Sequence, residues 1–127
     1  MKKIFTILAL AAVPLFGQQL QKPFEVIFNN VDSSYFTEDG SRMHEFTMPL
    51  HRAFDVMDMF EAMNCETCHV IKGHRNYIKY LKQNYPYRQN KTLDKGVFGH
   101  LDCIVDGYLV MMWMDKDYAF GMITSIE

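Results

Sequence analysis

The chain of 127 residues has no excess of basic side chains: 13 Lys and Arg stand against 15 Asp and Glu, a net charge of −2. A surface that grips a phosphate backbone needs clustered positive charge, so this balance argues against nucleic acid as a partner. Cysteine is scarce, at three residues, a number both odd and too small for a disulfide-stapled mini-protein. The N-terminal apolar run, residues 4–16, is about 13 residues long, short of the roughly 20 that a bilayer span requires. Internal repeats and low-complexity segments are missing as well. Apolar side chains are not in short supply. At 49% apolar and 22% charged the composition is that of a globular protein, and the length suits one domain. Ten Met and ten Phe suggest a soft, adaptable core, because the flexible thioether fills irregular gaps.

The N-terminus reads as a leader rather than as part of the fold. Met1-Lys2-Lys3 is basic, residues 4–16 are almost wholly apolar, Gly17 is small, and Gln18-Gln19 returns to polar character. That order is the pattern of a secretory signal peptide. A cut after Gly17 leaves a single domain over residues 18–127 and removes Lys2 and Lys3, so the net charge falls from −2 to −4. No Cys follows the cut to carry a lipid, so no stable membrane anchor is expected after cleavage. Export, to the periplasm or the medium, places the three cysteines in an oxidising compartment.

Along the remaining chain, residues 24–28 suggest a short strand and residues 38–41 a turn. Residues 54–60 fit a strand or the start of a helix equally well. Val70, Ile71, His74, Tyr77, Ile78, Leu81 and Tyr85 recur at helical spacing, which predicts an amphipathic helix over residues 66–84 with Pro86 just beyond it. Residues 96–103 suggest a short helical turn. The continuous apolar run of residues 108–114 has the form of a strand buried on both faces, and residues 119–126 its hairpin partner across Asp115-Lys116-Asp117.

The sharpest chemical feature is Cys65-Glu66-Thr67-Cys68-His69. Two thiols three residues apart at the start of a helix can shuttle between dithiol and disulfide. The helix N-terminus stabilises the first as a thiolate, and the second attacks the first sulfur from one turn inside. Glu66 opposes that stabilisation with a like charge, which suits a couple that reduces or isomerises disulfides rather than installing them.

The stretch from Phe60 through Ala62, Cys65 and Cys68 to Val70-Ile71 resembles the aromatic-x-Ala-x-x-Cys-x-x-Cys-x-apolar-apolar signature of the thioredoxin-like family. Gly107-Tyr108-Leu109-Val110 resembles the family's Gly-apolar-Pro-Thr segment, with Leu109 at the cis-proline position, and the terminal hairpin is similar to the family's own. The resemblance implies an α/β fold with a thioredoxin-like sheet and flanking helices, incomplete at its C-terminus. It implies thiol–disulfide oxidoreductase activity with no cofactor and with thiol- or disulfide-bearing proteins as partners. Cys65 is then the attacking thiolate, Cys68 the resolving thiol and Asp58 a displaced proton acceptor. Glu66, Thr67, Tyr108 and Leu109 face the substrate.

Three alternatives stay open. Cys-x-x-Cys-His in an exported protein is also the attachment motif of c-type haem, with thioethers on Cys65 and Cys68 and His69 as axial iron ligand in an electron-transfer protein. Cys65, Cys68, His100 and Cys103 could make a Cys₃His zinc set. A structural disulfide with no chemistry is the third. Residues 35–40 and 105–110 also resemble stretches of small cone-shaped folds similar to nuclear transport factor 2, which would imply a binding module.

Overall fold

The computed structural model describes residues 22–87 and 94–126. The order is α1 (Lys22–Asn29), β1 (Val31–Phe36), β2 (Arg42–Met48), α2 (Leu50–Met63), β3 (Cys68–Lys72), α3 (His74–Asn84), β4 (Gly99–Val105), β5 (Tyr108–Met114) and β6 (Ala119–Ser125). The strands form one six-stranded sheet in the order β1-β2-β6-β5-β4-β3, and every adjacent pair is antiparallel. The mixed α/β class therefore holds, and its sheet is antiparallel throughout the described residues. The expected signal segment, residues 1–17, lies outside them.

The turns follow from local chemistry. Asp106 and Gly107 both take positive φ, 53° and 81°, the two-residue hairpin geometry whose twist matches the strands it joins. Between β5 and β6, the Asp115 carboxylate accepts from the backbone N–H of Asp117 at 2.8 Å and of Tyr118 at 3.0 Å. The hairpin expected over residues 108–126 is present with this turn at its tip.

Three local expectations give way, and the open choice over residues 54–60 is decided. Residues 24–28 form part of α1, because Phe24 and Ile27, one helical turn apart, are both buried against the sheet. Residues 54–60 resolve as helix: Ala53, Val56, Met57 and Phe60 fall at i, i+3, i+4 and i+7 and make the buried stripe of α2. The helix expected over residues 66–84 divides at Gly73, whose φ of 97° no helix contains. Before it, Cys68 and Val70 alternate with His69 and Ile71 as strand β3, and α3 begins at His74. Residues 99–103, expected as a helical turn, belong to β4.

Helices α1 and α2 cover one face of the sheet. There Phe24, Ile27, Val56, Met57 and Phe60 pack on Phe46, Met48, Leu101, Cys103, Val110, Met112 and Ile123. Helix α3 lies on the opposite face over β3 and β4, where Tyr77 and Leu81 pack with Trp113 and Val97. Gly121 in β6 is fixed by close approach: a Cβ there would lie 2.1 Å from the Met111 carbonyl and 2.7 Å from the Phe46 ring. Gly121→Ala is therefore expected to destabilise the protein by about 1–3 kcal/mol, the usual cost of overpacking, read as a lower urea midpoint at unchanged m-value. An unchanged midpoint would show that β6 and Phe46 part without cost.

Candidate functional site

The three cysteines come together where the Cys-x-x-Cys turn enters β3. Helix α2 ends at Asn64, which adopts the left-handed conformation at φ 52°. Cys65 follows, and a turn closes when the Cys68 N–H donates to the Cys65 carbonyl at 3.0 Å. Cys65 thus sits after the carbonyl end of α2 and ahead of a strand. It does not head a helix, contrary to the sequence expectation, because Gly73 defers helix formation to His74. Cys68 and Cys103 lie directly opposite each other on β3 and β4 and are joined by a disulfide. Cys65 is the free cysteine and is half-buried.

Thr67 organises the turn. Its hydroxyl donates to the Ile104 carbonyl and lies 3.0 Å from Cys65 Sγ. With its proton committed to Ile104, the Thr67 oxygen is the acceptor for the Cys65 S–H. The backbone adds a second tie, the Ile104 N–H to the Thr67 carbonyl at 3.0 Å. The free thiol is therefore held by the strand that carries Cys103. Access to the disulfide is asymmetric: Cys68 is half-buried at the sheet edge, whereas Cys103 is wholly buried beneath α2. Of the two sulfurs, Cys68 is therefore the more accessible to an attacking thiol, with Cys103 the one that would leave.

The other expected site residues are dispersed. Asp58 is exposed on α2, and its carboxylate lies 3.5 Å from Lys72 Nζ, which also meets Glu61 at 3.1 Å. Glu66 is exposed beside Cys65. Tyr108 packs its ring 5.0 Å from that of Phe24 and 5.7 Å from that of Phe28, in the core under α1. Leu109 pairs with Ile104 in the sheet, one register position from the Cys103–Val110 pair. His69 leaves β3 on the face opposite Cys68, and its ring stacks 5.7 Å from that of Tyr80 on α3. Cys103 packs under α2, whereas His100 meets Tyr77 and Tyr80 of α3 across the sheet, so these two members of the zinc set face opposite ways. Among the described residues no group of three or more His, Cys, Asp and Glu side chains is arranged to hold a metal ion.

A second polar cluster beneath α3 went unseen in the sequence. The hydroxyls of Tyr80 and Tyr85 both donate to Asp102 Oδ2, at 2.7 and 2.6 Å. His100 Nδ1 lies 2.9 Å from the Met112 carbonyl, and its ring touches those of Tyr77, Tyr80 and Trp113 at 5.3–5.6 Å. The signal for this cluster is the alternation His100-x-Asp102 on a strand, which a helical reading of residues 96–103 conceals.

With known proteins, the chain matches no family model, no curated protein and no solved structure.

Burial first, and then the hydrogen bond to Asp102, raise the Tyr80 hydroxyl well above the ordinary 10.0. In the unfolded chain Tyr80 ionises near pH 10, while in the folded protein it keeps its proton. Folding is then favoured below that pH and loses this contribution as pH rises through 10 and beyond. Urea midpoints should accordingly fall between pH 9 and 11. Tyr80→Phe should flatten part of that slope and cost about 1.5–3 kcal/mol at neutral pH, the worth of a hydrogen bond to a charged group. An identical slope in the variant would remove Tyr80 as its source.

Proposed function

We propose that the protein is an exported thiol–disulfide isomerase in which Cys65 is the nucleophile. The observation that carries this is a free, half-buried thiol held by Thr67 in the same turn as one end of a closed disulfide. The leader-like N-terminus supports an oxidising compartment, where such an arrangement persists. The thioredoxin-like resemblance is retained for its chemistry, thiolate attack from a Cys-x-x-Cys turn. The fold around it is the antiparallel sheet described above.

With Cys68 and Cys103 already bonded, Cys65 acts without net electron transfer. Its thiolate attacks a substrate disulfide, forming a mixed disulfide and releasing one substrate sulfur as thiolate. A second substrate thiolate then attacks the substrate sulfur of the mixed disulfide, forms the new pairing and returns the Cys65 thiolate. The proton lost by Cys65 passes to solvent and comes back at the end. An internal step uses the same chemistry: Cys65 attacks Cys68, the bond to Cys103 breaks, and Cys103 leaves as thiolate. The exposed Glu66 and Thr67 lie beside the attacking sulfur and would meet the substrate first.

The haem alternative would need Cys68 and His69 to approach one porphyrin. Successive strand residues directed to opposite faces of a sheet, with Cys68 in a disulfide, favour the thiol chemistry over it.

The test is refolding of a scrambled, disulfide-bonded substrate protein without added redox buffer. Wild-type protein should speed recovery, and Cys65→Ser should lower that rate more than about tenfold, since the nucleophile is lost. Recovery that is the same with Cys65→Ser would overturn the proposal. A haem-sized mass increment on the peptide carrying Cys65 and Cys68 would replace it with the cytochrome reading.

A further inference from the structure

Helix α3 covers only part of its face of the sheet. Among the described residues, no helix covers that face over β2 and β6, and it forms an open groove of about 510 Å³. Two cross-strand rows make the floor. Thr47, Phe120 and Trp113 lie in one, and Glu45, Met122 and Met111 in the other. Phe120 stacks on Trp113 with ring centroids 5.9 Å apart and planes 22° from parallel. Such a volume suits a small organic molecule, and the apolar floor supplies most of the contact.

The polar groups at the groove are of one sign. Asp32 and Glu45 line it, and among the described residues no Lys, Arg or His does. The Glu45 carboxylate accepts a hydrogen bond from the Tyr35 hydroxyl at 3.0 Å, which fixes its position beside the groove. At the other side Trp113 is 9% exposed, and its indole N–H meets no acceptor among the described residues. Trp113 also lines a smaller cavity of about 20 Å³ under α3, with Leu81, Tyr85 and His100.

We infer that this groove binds a small amphipathic amine, with its aryl or alkyl body on Met111, Met122, Phe120 and Trp113 and its ammonium at Glu45 and Asp32. The site is separate from the cysteine turn and does not depend on thiol exchange.

Trp113 is the only tryptophan in the chain, so intrinsic fluorescence reports on the groove directly. The probes are phenylbutylammonium, phenylbutanol and phenylbutyrate, which share one apolar body and differ in charge, each titrated at low ionic strength. A saturable fluorescence change is expected, tightest for the ammonium, about two- to tenfold weaker for the alcohol and weaker again for the carboxylate. Glu45→Gln with Asp32→Asn, both at exposed positions, should bring the ammonium down to the affinity of the alcohol and leave the alcohol unchanged. Met122→Lys, which places a cation on the floor, should abolish ammonium binding in a protein whose circular dichroism is unaltered. Equal affinity for all three probes, an ammonium titration unaffected by the double carboxylate change, or no saturable response would each overturn the inference.

Discussion

Along β4, Leu101 and Cys103 leave the backbone toward α1 and α2, while His100 and Asp102 leave it toward α3. This period-two alternation settles where the polar and reactive groups of the molecule can go. It places Cys103 against Cys68 of β3 and separates it from His100. It also carries Asp102 into the buried layer under α3, where a carboxylate is tolerated only if hydrogen-bonded. The register of β3 on β4 is set by both faces: a slip of β3 by one residue would part the cysteines and turn His69, now against Tyr80, toward the core under α2.

Asp102 in turn explains how α3 is placed. Tyr80 lies within the helix and Tyr85 just past its end, and both hydroxyls reach the same carboxylate oxygen. A second tyrosine–aspartate bond, Tyr77 to Asp94 at 2.7 Å, ties α3 to the segment that leads into β4. Each such bond contributes only about 1.5–3 kcal/mol, but breaking one costs more than it appears to supply, because a buried polar group loses its partner. The cluster thus fixes the rotation and height of α3 more sharply than Leu81 and Ile78 could alone. The same placement holds α3 to the β3–β4 side and leaves the rows on β2 and β6 open.

Legibility in the sequence followed the length of each pattern. The β5–β6 hairpin was readable because residues 108–114 form a long apolar run that ends in an Asx turn. The stretch of residues 66–84 misled because a five-residue strand and an eleven-residue helix meet at Gly73. Val70 and Ile71 extend the helical spacing of α3 by coincidence, and only the positive φ at Gly73 breaks the series. The Asp106-Gly107 dipeptide was a stronger hairpin signal than its surroundings suggested, and it would have set residues 99–105 as a strand antiparallel to residues 108–114. The cysteine motif was visible as chemistry, but its partner was not: Cys103 lies 35 residues beyond Cys68, a contact that only sheet order creates.

That separation bears on how a free thiol and a disulfide share one site. In the chain-entropy model, a cross-link closing 35 residues constrains the unfolded chain by roughly 4 kcal/mol, and one closing the three-residue span from Cys65 to Cys68 by under about 2 kcal/mol. The unfolded chain therefore closes Cys65 on Cys68 more readily, by about 2 kcal/mol. Folding reverses the preference, because β-pairing brings Cys103 opposite Cys68 without further loss of chain freedom and buries it under α2. The Cys68–Cys103 bond is then a product of the sheet register rather than its cause. Cys65, released by the same register, is left as the thiol beside it.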